Sequence, residues 1–339
     1  LLLDEPTAAL SPAEICRLFE VLCRLKAEGT ALVFISHRLE EIEQIGDRLT
    51  VLRDGRLVFS GARAAVTSAE LVALMTGGDR PPGPSGPREP AVALGGGPPA
   101  ELLRVEKLAV PGRVGPISFA LAGGEILGLA GVVGAGRTSL VRALFGAEAE
   151  AEGVVYIEGR PVRLRSPADA IAAGIALLTE DRKEQGLILT ADVATNISLA
   201  SGRRFLRGLY FDHAAERAVA ADYVRQLEIR TPSVSFPVRL LSGGNQQKVL
   251  LARWLSSGAR IFLLDEPTRG IDVEAKRHVY RLVRELAAAG RAVLFISSEL
   301  PEVLELADRI LVLHRGQPRG EVLRGQCDKH NLLLRAMGA

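Results

Sequence analysis

Short apolar runs punctuate the chain: "ILGLAG" from Ile126, "IALL" from Ile175, "IFLLDE" from Ile261, "AVLFISS" from Ala292 and "ILVLH" from Ile310. Each is a few residues long and gives way to a glycine or to polar residues, as a buried strand does. The stretches between them read as helices: "RTSLVRALFG" from Arg137, "ADAIAAG" from Ala168 and "VEAKRHVYRLVRELAAAG" from Val273. "ISFALAGGEILGLAG" predicts strand, turn, strand, and "GVVYIEGRPV" and "RILVLHRGQPRGEV" predict hairpins. Residues Leu187 to Pro237 read as mostly helical. Strands alternating with helices in this way predict an α/β fold on a mainly parallel sheet.

The pattern occurs more than once. "LLLDEPTAAL" at Leu1 returns as "IFLLDEPTRGI", and the two stay in register at an offset of 261 residues for more than 50 residues. Asp4 falls on Asp265, Glu5 on Glu266, Gly29 on Gly290, "VFISHRLEEI" on "LFISSELPEV", and Asp47-Arg48 on Asp308-Arg309. An ungapped match of that length marks a repeated domain. Between the copies, 14 of the 24 residues from Gly77 to Ala100 are Gly or Pro, a composition that holds neither helix nor strand and predicts a linker. The expected organisation is therefore a C-terminal part of one unit over 1–76, a linker over 77–100, and a complete unit over 101–339. On this reading some 160 residues of the first unit would precede Leu1, since Asp265 follows Glu101 by 164 residues.

Composition narrows the function classes. The chain has 339 residues, enough for two domains, and a net charge of only +2, which argues against a bulk nucleic-acid partner. No apolar run approaches the 18 residues or so of a membrane span. Cys16, Cys23 and Cys327 are scattered, form no ligand cluster and fit a reducing compartment.

The chemistry gathers after two of the strands. "GVVGAGRTSL" has the spacing of a phosphate-binding loop, with Gly131 and Gly136 at the glycine positions and Thr138 where a magnesium-binding hydroxyl is required. A helix starting behind such a loop aims backbone N–H groups at phosphate oxygens. Arg137 stands where the loop ordinarily has lysine; its planar fork cannot act as a compact point charge. A strand ending in Asp-Glu is where α/β ATPases place a magnesium-organising carboxylate beside one that polarises water, here Asp265-Glu266 and, in the first copy, Asp4-Glu5. In "LSGGNQQKVLLARWL", Ser-Gly-Gly opens a further helix whose N-terminus is free to bind an anion.

Those last residues resemble the signature of the ATP-binding-cassette ATPases, and "LLDEPT" from Leu263 strengthens the likeness. With "TEDRKEQGL" and "DEPTRGID" the chain is similar to the second half of the tandem ATPase subunits of bacterial monosaccharide importers of the ribose, galactose or xylose type. The resemblance covers essentially the whole chain. It implies a P-loop cassette with a helical subdomain, ATP and Mg²⁺ as cofactors, and a place at the cytoplasmic face of the membrane. The implied partners are integral-membrane permease subunits, with the stretch after Glu180 facing them, and indirectly a periplasmic or extracellular sugar-binding protein.

In this family two cassettes close head to tail around two ATP molecules, and the resemblance assigns roles accordingly. Asp4 would organise Mg²⁺, Glu5 would be the general base and His37 would hold the γ-phosphate, opposite the signature Ser242, Gly243, Gly244 and Gln246. The second site would use Gly131, Gly134, Gly136, Arg137, Thr138 and Ser139 for the phosphates, Thr138 and Asp265 for the metal, and Glu266 as base. It departs from the family pattern three times. Arg137 replaces lysine, Ser298 replaces histidine and is expected to be too short for the same gap, and Glu180 stands where a glutamine contacts the metal. Phosphoryl transfer is almost entirely positioning and charge stabilisation, so this site is expected to be degenerate, holding nucleotide and turning it over slowly. The chain by itself is expected to be inactive as an ATPase, because Glu5 and His37 have no phosphate loop with them and Arg137 has no signature opposite it. "KLAVPGRVGP" also lacks the aromatic ring on which adenine stacks in this family. The alternatives are a soluble tandem-cassette ATPase acting on ribosomes, which ordinarily keeps two intact sites, and a non-functional fragment.

Overall fold

The computed structural model describes the chain except for residues 5, 8–11, 37–38, 54–55, 68–69, 72–73, 75–99, 133, 272, 327 and 339. Glu5, His37 and all of the expected linker but Ala100 therefore lie outside the described residues. The chain divides into two compact units, one of Leu1–Gly86 with Asp272–Arg277 and the other of Pro87–Ile271 with His278–Ala339. Among the described residues no helix is long and apolar enough to cross a membrane.

The first unit pairs strand β1 (Leu2–Asp4) in parallel with β2 (Val33–Ile35), Asp4 opposite Ile35. Helix α1 (Pro12–Ala27) joins them, and Phe19 on it meets Phe34 edge to face at 5.9 Å. Helix α2 (Leu39–Ile45) leads into the antiparallel hairpin β3 (Arg48–Arg53) and β4 (Arg56–Ala62). Leu49, Val51, Val66 and Leu71 form a small core with Ile42, Val58, Phe59 and Leu74. The strand pair is poorly covered: Leu2 is 80% exposed, Val33 53% and Ile35 54%.

The second unit opens on a four-stranded antiparallel sheet, to which the predicted "GVVYIEGRPV" hairpin and the strand at "ISFALA" contribute. Strands β5 (Glu101–Val110), β6 (Val114–Ala122), β8 (Glu152–Ile157) and β9 (Arg160–Val162) lie in the order β6-β5-β8-β9. The main sheet has six strands: β7 (Ile126–Ala130), β10 (Ile175–Leu178), β13 (Ile261–Asp265), β14 (Ala292–Ile296), β15 (Arg309–His314) and β16 (Gln317–Leu323). Their order is β10-β13-β14-β7-β15-β16; the first five are parallel and β16 closes the edge antiparallel. The residues of β7, β10, β13 and β14 are buried throughout, which is why they read as continuous apolar runs and not as alternating ones.

Helices join these strands: α3 (Arg137–Leu144), α4 (Pro167–Ala172), α5 (Val193–Ser198), α6 (His213–Gln226), α7 (Gly243–Ser256), α8 (Val273–Ala288), α9 (Leu300–Leu306) and α10 (Lys329–Met337). Ser166 caps α4 by accepting from the Asp169 N–H, with Pro167 at its start, and Asp212 caps α6 through the Ala215 N–H. Gly128 on β7 is required by packing, because a Cβ there would come within 2.5 Å of Val303 on α9.

Residues 187–237 are less helical than their sequence suggests. α5 and α6 are separated by a 3₁₀ turn (Gly202–Phe205) and a small hairpin, β11 (Leu206–Arg207) with β12 (Tyr210–Phe211). α5 and α7 are locked by Arg253. Its buried guanidinium donates to the Asn196 carbonyl (2.8 Å), the Asn196 amide oxygen (2.9 Å) and the Gly186 carbonyl. Burial without a carboxylate partner lowers its pKa to about 10.

The elements of the first unit recur in the second at the 261-residue offset. α1 falls on α8, α2 on α9, β3 on β15 and β4 on β16, residue for residue at both ends.

Candidate functional site

Because β7, β13 and β14 are parallel neighbours, the residues leaving their C-terminal ends emerge together. Asp265 pairs with Ile296, and Ile296 pairs with Leu129. The first residues beyond the ends of the three strands are Gly131, Glu266 and Ser297. This is the edge of an open α/β sheet where ligands bind.

The loop after β7 needs its glycines for separate reasons. A Cβ on Gly131 would stand 2.7 Å from the Leu313 carbonyl oxygen and 2.8 Å from the Ala135 Cβ, so only hydrogen fits. Gly136 is left-handed (φ 93°) at the N-cap of α3, a conformation costly for any residue with a Cβ. Gly134 is also left-handed, with open space around the missing side chain. The first turn of α3, which contains Thr138 and Ser139, therefore starts directly behind an open glycine turn, with its leading N–H groups lacking intrahelical partners.

Asp265 is 2% exposed, and burial raises its carboxyl pKa; the Thr138 hydroxyl, which donates to it, and the Arg137 charge oppose the rise. Its Oδ1 is buried with no hydrogen-bond partner among the described residues. A buried carboxylate oxygen left over beside a threonine hydroxyl matches what a hard divalent cation requires, namely oxygen ligands. A cavity of about 230 Å³ opens here, lined by Thr138, Asp265, Thr179, Glu180, Asp181 and Gln185 among others. Glu180, which stands where the family has a glutamine, is ion-paired with Arg269. Gln185 lines the same cavity and was not singled out by its sequence. It sits in the π-helical turn Arg182–Gly186, whose closing hydrogen bonds end on the Asp181 carbonyl.

Glu266 is held from two sides. Its Oε1 lies 3.4 Å from the Arg137 Nη2, and its Oε2 accepts from the Ser298 hydroxyl at 3.1 Å. The residue takes a left-handed backbone (φ 50°), uncommon without glycine, and its N–H bonds the Ile296 carbonyl at 3.0 Å. Burial raises its pKa, against the pull of Ser298 and Arg137. Ser298 reaches the Glu266 carboxylate because β14 ends directly beside β13. Arg137 is 9% exposed and engaged by protein groups, donating from Nη1 to the Ser297 carbonyl at 2.8 Å while Nη2 faces Glu266.

The signature helix α7 begins at Ser242, whose side chain makes no cap bond and is exposed. Ser242 Oγ accepts from the Asn245 amide at 2.9 Å, and Gly243 packs against the Arg182 guanidinium, where a Cβ would stand 2.6 Å from Nη2. Gln246 turns inward, buried with its amide on the Val238 carbonyl at 3.2 Å, so Asn245 and not Gln246 accompanies Ser242, Gly243 and Gly244 at the helix start. The two side chains are adjacent in sequence but point about 100° apart around the helix, a distinction one-dimensional spacing does not make. Within the first unit Asp4 ends β1, as Asp265 ends β13.

Comparisons with known proteins agree with this geometry. The profile of the family described as "ABC transporter" matches residues 114–269. The ribose import ATP-binding protein RbsA of Geobacillus kaustophilus is 44% identical over 338 residues, an alignment that takes in all of this chain and 67% of that protein. A putative ribose/galactose/methyl galactoside import ATP-binding protein of Burkholderia ambifaria is 45% identical over 339 residues, covering 98% of this chain and 64% of that protein. The chain thus spans about two thirds of the length of these relatives. A nucleotide-free ATP-binding cassette from an ABC transporter superposes with a TM-score of 0.59 at 23% identity, over 69% of this chain and 95% of that one. Cassette fold, loop and carboxylates in place at one sheet edge, and full-length likeness together lead to one conclusion: the chain belongs to the ATP-binding-cassette transporter family and groups with its ribose- and galactose-type import ATP-binding proteins.

Proposed function

We propose that this chain is part of the ATP-binding and ATP-hydrolysing subunit that energises uptake of a simple sugar through an integral-membrane permease. It would work at the cytoplasmic face of the membrane, with a sugar-binding protein acting through the permease. The observation that carries the reading is the convergence of Gly131–Thr138, Asp265 and Glu266 at the C-terminal edge of three adjacent parallel strands, in a chain so similar to the import proteins over its length.

The loop amides from Gly131 to Ser139 and the Arg137 charge would hold the phosphates of ATP. Thr138 and the Asp265 Oδ1 would hold a Mg²⁺ ion, which would supply positive charge to neutralise the phosphates. The site is proposed as degenerate: Glu266, the candidate base, is clamped by Arg137 and Ser298, and Ser298 lacks the ring nitrogen of a histidine. The sound site would join Asp4, Glu5 and His37 to Ser242, Gly243 and Gly244; this pairing rests on the family resemblance.

The proposed organisation is a cassette part over 1–76, a linker over 77–100 and a complete cassette over 101–339. Coincidence of four elements at one offset supports it. So does the exposure of Leu2, Val33 and Ile35, whose counterparts Leu263, Leu294 and Ile296 are buried in the main sheet. Covering an exposed Leu, Val or Ile side chain is worth about 1.5–3 kcal/mol, so these strands are suited to further neighbours.

The test is steady-state phosphate release. The 339-residue chain should release almost none, and the chain extended upstream by the segment that completes the first cassette should release it readily. Ser242→Arg in the extended protein should stop turnover by placing bulk at the helix start. Substantial activity in the short chain, or an extended protein indifferent to Ser242→Arg, overturns the reading.

A further inference from the structure

Behind the site lies a buried acid that the reading above leaves without a role. Glu302, on α9, is 2% exposed. Its carboxylate accepts from the Thr268 hydroxyl at 2.9 and 2.7 Å and from the Ser297 hydroxyl at 2.6 Å. The Tyr280 phenol on α8 is hydrogen-bonded to it as well, and burial together with that neighbouring charge raises the Tyr280 pKa. A buried carboxylate with several hydroxyl donors is well satisfied, and such hydrogen bonds to a charged acceptor are the strong ones.

What the donors belong to gives the acid its meaning. Thr268 lies two residues beyond Glu266, in the turn after β13. Ser297 immediately precedes Ser298, which bonds Glu266, and its carbonyl receives the Arg137 Nη1. Its hydroxyl also accepts from the Glu299 N–H at 3.0 Å. Glu302 thus ties the segment leaving β14 to the turn leaving β13. The first unit repeats one half of this arrangement. Glu41, at the equivalent position of α2, is buried and accepts from the Ser36 hydroxyl at 2.7 Å, and Thr7, the counterpart of Thr268, is buried too. Ser36 directly precedes His37 in the chain. The residues that come next in sequence differ between the two copies, Ser298 and His37, whereas the acid is the same.

We propose that Glu302, and Glu41 in the first copy, are positioning residues that hold the γ-phosphate-facing segment after one strand in register with the carboxylate-bearing turn after its neighbour. The role in nucleotide sensing rests on the proposed ATP site; the tie between the two segments does not.

The experiment uses the 339-residue chain and Glu302→Gln, in which one donor-only amide group replaces an acceptor oxygen. Amide hydrogen exchange should rise tenfold or more in peptides covering 266–270 and 297–299 together, with β13 and β14 still protected. In titrations with ATP and ADP, Glu302→Gln should weaken ATP about tenfold while ADP stays within twofold, a split that general loosening of the fold would not produce. Where Glu302→Gln does not fold, Ser297→Ala, which removes one hydroxyl, carries the same comparison with a smaller effect. Unchanged exchange in the two segments, or ATP and ADP affinities that fall together or not at all, overturns the proposal. Wild-type chain that binds neither nucleotide overturns the ATP-site reading, and the exchange comparison then decides the tie by itself.

Discussion

Replacing Arg137 by alanine should destabilise the second unit far more than loss of a surface cation would. Arg137 and Glu266 are each only about a tenth exposed, and the pair is 3.4 Å apart. Removing the guanidinium leaves a buried carboxylate without its counter-charge and the Ser297 carbonyl without its 2.8 Å donor. Breaking a buried pair from one side typically costs about 3–5 kcal/mol. The lower end is appropriate here, because the contact is long and Ser298 still donates to Glu266. For a domain of this size about 3 kcal/mol corresponds to a melting point lower by roughly 6–12 °C.

The loss should depend on pH. Burial already raises the Glu266 pKa, and without Arg137 it rises further. Between the unfolded carboxyl value, about 4.3, and that raised folded value, the folded state binds more protons than the unfolded state, so stability falls as pH increases. Arg137→Ala should therefore be most damaging near pH 7.5 and recover on acidification toward pH 5. Adding Glu266→Gln removes the orphaned charge and should restore about 2 kcal/mol at neutral pH. The assay is urea denaturation followed by fluorescence of Trp254, the single tryptophan, which is buried against Phe145 in the second unit. A cost under about 1 kcal/mol, or strictly additive single and double substitutions at every pH, would refute the reasoning.

In the extended protein, Glu5→Gln should abolish ATP hydrolysis while Glu266→Gln does much less, because the second carboxylate is already clamped; equal damage in a turnover assay would remove the proposed asymmetry. Arg253→Ala strips donors from the Asn196 and Gly186 acceptors that link α5 and the π-helical turn to α7. At about 1–3 kcal/mol per unsatisfied buried group, the same denaturation assay should show a loss of at least about 3 kcal/mol, and a loss below 1 would mean that water replaces the guanidinium.

Much of this protein is local in its sequence and was legible there. Continuous apolar runs marked β7, β10, β13 and β14 because a strand buried on both faces needs no polar alternation. Glycine spacing marked the phosphate loop because backbone clearance at Gly131 and a left-handed turn at Gly136 exclude other residues. The repeat was readable because both copies keep the same elements at the same offset. What the tertiary structure decided is non-local. The order that sets β7 between β14 and β15, and the pairing of β5 with β8 that joins two hairpins into one sheet, depend on hydrogen bonds between strands far apart in the chain. The same is true of the site's charges. Glu180 found Arg269, Arg137 found Glu266 and the Ser297 carbonyl, and Ser298 reached Glu266, only because the strands bearing them end side by side. Which of Asn245 and Gln246 stands with Ser242 was settled by the face of α7 that packs inward. Residue types and spacing thus name the groups available at the site, whereas the partner each takes follows from which strand ends and helix faces the fold brings together.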